Sequence, residues 1–167
     1  MKIFPILEEE YLIDESIPSF INRLEVATDS KQSTMFFRKN PDNSRLFYGQ
    51  VSESNFVISR NITHSNSFNQ VILGYLSETE HKTKIILVYK TDKNVRLFVY
   101  LFWSMMLFFF IITLSVDLFK LFNHEISLFS LIIIFMFLCS KLVIKYAYNL
   151  DINNTRNVMK KFVLREM

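Results

Sequence analysis

Glycine is nearly absent from this chain: 167 residues hold two, Gly49 and Gly74. A phosphate-cradling loop of the GxGxxG or GxxxxGK[ST] kind needs clustered glycines, so both are excluded. Cysteine occurs once, at Cys139. That rules out an intramolecular disulfide and a cysteine metal cluster. No HExxH is present, and His64, His81 and His124 fall in three different predicted loops. Without cysteine nearby they make a poor zinc set and read as solvated loop side chains. No metal and no cofactor is expected. Charge is missing from two long runs, residues 97–116 (LFVYLFWSMMLFFFIITLSV) and 126–140 (ISLFSLIIIFMFLCS).

What fills those runs is apolar, and 18 of the residues in the chain are Phe. A bilayer core of about 30 Å needs roughly 20 apolar residues in a helix. The first run meets that length. The second meets it, as 126–144, if Lys141 snorkels. A transmembrane hairpin over 97–146 is therefore predicted, with spans at about 97–116 and 126–144. Lys and Arg number 12 in residues 1–96, one in 117–125 and six in 141–167. Positive charge near span ends stays inside, so both termini are expected in the cytoplasm, at the inner (plasma) membrane, with DLFKLFNHE as the outer loop. The start, MKIFPILEEE, lacks the apolar length of a signal peptide, and the first span would serve as the insertion signal. The net charge of +3 reflects basic membrane flanks rather than a concentrated patch for nucleic acid, which is not expected as a partner.

Residues 1–96 read as a cytoplasmic α+β domain. Residues 3–13 carry strand-type side chains with Pro5 and three acids, which an edge strand tolerates. Ser16 and Pro18 suit a helix start, and Ile17, Phe20, Ile21 and Leu24 share one stripe, so a helix is predicted from about 17 to 29. Residues 38–45 (RKNPDNSR) form a loop by composition. Two similar phrases follow, LFYGQVS with FVISRNI and NQVILGYLS with KIILVYK. Phe56, Ile58 and Arg60 alternate onto one face, as do Ile72, Gly74 and Leu76. Ile86 and Val88 share a face with Lys84 and Lys90. Two strand–turn–strand units result, linked by THSNS (63–67). The predicted fold is a curved antiparallel β-meander with one or two covering helices. A glycine inside a strand persists where the strand bends or another group approaches its backbone, and one such position falls in each unit. The tail, 147–167, is predicted as a separate amphipathic helix capped at Asn154 or Thr155, with Val158, Met159, Phe162 and Val163 as its apolar stripe. It suits either the membrane surface or the open side of the sheet.

Arg60 is the one candidate contact residue. An arginine on an otherwise apolar strand face pairs with a carboxylate or a phosphate. It is thus a possible contact for a partner or a lipid headgroup, or one half of a structural ion pair with one of Glu8–Glu10. Those three glutamates read as a solvated edge, because neighbours on a strand point to alternate sides. Ser67 and Ser104 lack a base signature for nucleophilic chemistry. Asp117 and Glu125 flank the outer loop, where charges ordinarily face water.

The central stretch resembles a group of uncharacterised bacterial membrane proteins with a meander domain followed by a transmembrane helix pair. Their pattern is carried here by Gly49 and Val51, Phe56, Ile58, Arg60 and Ile62, Asn66, Ser67 and Phe68, Gly74 and Leu76, Thr83 and Ile85, and Trp103. Ser65, Gln70 and Lys82 depart from it, where the group favours Arg, Pro and Gly. The likeness covers roughly residues 47–103. It implies a bacterial source and the sheet-plus-hairpin layout, and no activity.

With no catalytic signature, the sequence is read as a non-enzymatic integral membrane protein. Its cytoplasmic domain is expected to bind a protein partner, as an adaptor or an immunity or inhibitor factor. The alternative is a lipid or apolar-ligand binding domain at the membrane surface.

Overall fold

A computed structural model describes residues 4, 6–29, 45–61, 70–79, 82–122 and 129–166. The loop at 38–44, the 63–67 link, residues 123–125, Ile62, Ser65 and Phe68 lie outside the described residues, as do His64, His81, His124, Ser67 and Glu125. The chain divides into two compact units. One joins Met1–Asp92 to Leu150–Met167; the other is Lys93–Asn149.

The first unit is α+β, built on a six-stranded mixed sheet in which the strands lie, by chain order, as first, sixth, fifth, fourth, third and second. The meander is its centre. Strands β3 (Phe47–Val51), β4 (Asn55–Arg60), β5 (Gln70–Thr79) and β6 (Lys82–Thr91) pair antiparallel in sequence order. The acidic strand β1 (Leu7–Ile13) adds antiparallel to β6 and forms the outer edge. Helix α1 (Ile17–Ala27) starts after Ser16 with Pro18 in its first turn, and buries Phe20 and Leu24 completely. It stops two residues before the predicted end. Thr28 is extended, as suits a β-branched residue, and Thr28–Asp29 pair parallel with Phe47–Tyr48 as β2. Strands β5 and β6 also run beyond the NQVILGYLS and KIILVYK stretches, to Thr79 and from Lys82. Glu78 faces Thr83 and Thr79 faces Lys82 across the ladder.

Both glycines are explained by close approach to β4. Gly49 has φ +147°, which L side chains rarely adopt, and a Cβ there would overlap the Val57 carbonyl. A Cβ on Gly74 would overlap the Phe56 ring, which lies across the ladder from it. Phe56 therefore fills the space that Gly74 leaves, a ring-over-glycine arrangement that pins register.

Helix α2 (Lys93–Phe122) and the first part of α3 (Phe129–Val163) form the second unit. Both are long and apolar enough to cross a membrane. Large apolar side chains are exposed around both, among them Phe98, Phe108, Ile112, Phe135 and Leu142. Three hydroxyls within the apolar runs are satisfied locally. Thr113 donates to the Phe109 and Phe110 carbonyls, Ser115 to Ile111 and Ser140 to Phe137. That is what lipid, which offers no partners, requires. Asp117 accepts the Ser130 backbone N–H at 2.9 Å, capping the first turn of α3 from the neighbouring helix. Trp103 meets Phe137 with ring centroids 5.8 Å apart. The two contacts run α2 and α3 in opposite directions, as in a hairpin.

The tail is not a separate helix. Asn154 and Thr155 lie inside α3, which runs unbroken to Val163. No proline or glycine interrupts it, and a cap residue starts a helix only where the preceding backbone is extended. Residues 150–166 dock on the sheet of the first unit. Phe162 lies 5.5 Å from Phe47 and 6.1 Å from Phe20, centroid to centroid. Ile152, Thr155, Met159 and Val163 are buried beside it.

Candidate functional site

The polar groups that stand out in the first unit collect along the docked end of α3. Strand alternation explains how each reaches it. On β4, Phe56 and Ile58 are buried and Arg60 follows on the same face. On β1, Leu7, Glu9, Tyr11 and Ile13 turn inward while Glu8 and Glu10 turn out. The acidic run is therefore a solvated edge at Glu8 and Glu10 only. Glu9 is drawn inside.

Arg60 does form an ion pair, but not with that run. Its Nη2 donates to Asp151 Oδ1 at 3.2 Å. The Asp151 side chain is only 2% exposed and that of Arg60 19%. Burial pushes the Asp151 carboxyl above the usual carboxylate range, while Arg60 and hydrogen bonds from Gln70 pull it back. Gln70 is fully buried and accepts from Thr91 Oγ1 at 3.5 Å. Asp151 was hidden from pairwise reading because 91 residues separate it from Arg60. The signal that could have found it is its place one helical turn before Thr155 on the tail's apolar stripe.

Glu9 is the hub of a second cluster. Arg156 Nε donates to it at 2.7 Å, and an Arg156–Glu9 salt bridge accompanies that bond. The hydroxyls of Tyr11 and Tyr89 donate to Glu9 Oε2 at 3.0 and 3.1 Å. Burial first, and then the Glu9 charge, push Tyr11 up to about 12 and Tyr89 well above its ordinary value. The bond to Glu9 holds the Arg156 guanidinium more firmly protonated.

Glu15 anchors a third. It accepts from Arg23 at 2.8 Å, from Ser19 at 2.8 Å and from Arg165 at 2.7 Å. Burial alone would raise its carboxyl, but these three donors hold it below the usual range. Arg23 also donates to the Phe162 carbonyl and lies over the Phe162 ring at 4.6 Å.

Each cluster joins a segment that precedes the hairpin to one that follows it. Chemically they are matched ion pairs, which fix position rather than present a nucleophile and a base. Among the described residues, no group of three His, Cys, Asp or Glu gathers as a metal ion would need. Ser104 is exposed on α2, and Asp117 is engaged as a helix cap.

The other face of the sheet has a different character. Cross-strand pairs bring Ile86 beside Tyr75, Val88 beside Leu73 and Leu73 beside Val57. Tyr75 is 51% exposed and Val57 46%. Polar side chains frame them: Glu8 next to Val88, Glu10 next to Ile86, Gln50 next to Val57, Asn55 next to Tyr75, and Lys90 next to Val71. Comparison with protein-family models, curated proteins and solved structures finds no match for this chain.

Proposed function

We propose that this chain is a non-catalytic membrane protein whose hairpin anchors a cytoplasmic sheet domain, and that the domain binds a protein partner through the sheet face that no described helix covers. The observation that carries the reading is that face. An apolar centre inside a polar frame is the layout of a protein interface, with a dehydrated core and a wet rim. Contiguous exposed apolar patches on soluble domains mark interaction sites more often than isolated residues do. The covered face supports the same choice over an apolar-ligand reading. Phe20, Leu24, Ile58, Ile72, Leu87 and Tyr89 are packed there with no exposed surface to speak of, and the clefts beside the docked helix are lined by Glu9, Arg156, Glu15 and Arg23.

The membrane arrangement is supported by the composition of the first unit. Its sheet comes from before the hairpin and its docked helix from after. If α2 and α3 both cross the bilayer, the two ends of the chain lie on one side. The excess of Lys and Arg in those ends favours the inner side. Adaptor and immunity roles both fit such a tethered domain.

The test is capture of the full-length protein from native membranes in mild detergent, with proteins and lipids both identified. One stoichiometric protein, retained by the parent and lost with Tyr75→Glu or Val57→Asp, is the expected result. Capture that ignores both substitutions, or enrichment of lipid alone, would sink the reading.

A further inference from the structure

The second unit holds an apolar groove of about 500 Å³ between its two helices. Tyr100, Trp103 and Leu107 line it from α2, and Ile134, Phe137 and Leu138 from α3. The spacing of these residues continues beyond the groove. On α2, stepping back from Leu107 by four, three, four and three reaches Trp103, Tyr100, Arg96 and Lys93. On α3, stepping forward from Ile134 by four, three and four reaches Leu138, Lys141 and Lys145. Steps of three and four stay on one helix face. The Trp103–Phe137 and Asp117–Ser130 contacts set the helices antiparallel, so both cation pairs lie at the same end. All four are exposed, and no ion pair engages them among the described residues. Within this unit Asp117 is the sole described carboxylate, and it lies toward the opposite end. Arg96 is about 10 Å along the helix from Trp103, at 1.5 Å per residue.

We infer that this groove and its four cations form a binding site for one anionic phospholipid. The acyl chain lies against Trp103, Leu107, Ile134 and Leu138, and the headgroup phosphate meets Arg96, Lys141, Lys145 and Lys93. Charge complementarity selects this occupant over a zwitterionic lipid or a third apolar helix, neither of which answers four like charges. A planar arginine fork suits phosphate oxygens in two-point contact, with the lysines as flexible point charges around it. The first turn of α2 adds backbone N–H groups and carries no acidic side chain, Asp92 being the residue directly before it. Each cation near an anionic surface strengthens attraction about fivefold, so the effect of the set is large. The inference rests on the hairpin being membrane-embedded and is independent of the protein-partner reading.

The experiment is native mass spectrometry of the full-length protein, released from bilayers of equal phosphatidylglycerol and phosphatidylcholine. One phosphatidylglycerol per chain should survive delipidation. Arg96→Gln with Lys141→Gln and Lys145→Gln should lower that retention about tenfold or more. Leu138→Trp, which fills the groove and leaves the charges, should lower it as well. Equal retention of the two lipids, no response to either variant, or a second copy of the chain seated in place of lipid would each overturn the site. Carbonate extraction of the same membranes separates the causes. A chain that washes off loses both the site and the membrane reading, whereas an embedded chain without lipid preference loses only the site.

Discussion

The two units of this protein treat phenylalanine in opposite ways. In the sheet unit Phe20, Phe47, Phe56 and Phe162 are buried against one another. In the hairpin unit Phe98, Phe108, Phe119, Phe129 and Phe135 are exposed. The side chain is the same, and on the proposed membrane placement of the hairpin the solvent differs. In water an exposed ring costs free energy roughly in proportion to its area. In a bilayer it costs nothing, and packing is left to a few contacts such as Trp103 with Phe137. The polar groups divide likewise. The sheet unit matches carboxylates to arginines across long sequence separations, whereas Thr113, Ser115 and Ser140 in the hairpin bond to carbonyls within about one turn.

The sharpest test of that contrast is one substitution made in each unit. Phe162→Ala should destabilise the sheet unit by about 3–5 kcal/mol, the usual cost of deleting a buried ring. Phe108→Ala should leave that unit within about 0.5 kcal/mol of the parent. Pulse proteolysis of the full-length protein in detergent would measure both. Equal effects would mean that the two environments are not as different as they look.

The ion pairs come next. Asp151→Ala leaves Arg60 half-buried without its carboxylate, and a loss of about 3 kcal/mol is expected. Replacing both partners, Arg60→Met with Asp151→Leu, should recover most of it, because no buried charge is then left unpaired. Thermal unfolding of the single and double variants would decide. A double variant no better than the single would show that the pair itself stabilises the docked helix.

Gly74→Ala should cost about 1–3 kcal/mol through overpacking against the Phe56 ring, and Phe56→Leu in the same chain should reduce that cost. Strict additivity of the two changes would break the assigned contact.

The smallest effect concerns pH. The carboxyl of Glu15 is held below its ordinary value in the folded chain. Its contribution is therefore fully present above the unfolded carboxylate pKa of roughly 4.3 and is lost as pH falls through the depressed folded value. Glu15→Gln should make the acid limb of the stability profile shallower and leave Phe162 packing intact. An unchanged acid limb would remove Glu15 from that account.

Much of this was legible in the sequence. Strand faces at Phe56, Ile58, Ile72 and Leu76 follow from a period of two, and the two apolar helices follow from uncharged runs. The candidate site was legible only in half. Arg60 stood out as a charge on an apolar face, but its partner was sought on the acidic edge strand. The inward turn of Glu9, and its use by Arg156, also escaped a reading in which three adjacent glutamates look alike. The tail failed for a different reason. Asn154 and Thr155 are good caps in isolation, but no proline or glycine breaks the backbone before them, so they lie inside a longer helix.

By itself, then, the sequence determined what is local: alternation along each strand, the length of each apolar run, the excess of cations at the ends, and two strand positions set apart by glycine. Those properties depend on a residue and its near neighbours. The tertiary structure alone decided which carboxylate meets which arginine, which face of the sheet the described helices cover, and that this cover includes the segment following the hairpin. Each is a contact between segments many residues apart. Several such pairings satisfy the same local pattern, and the choice among them falls to packing and charge matching in three dimensions.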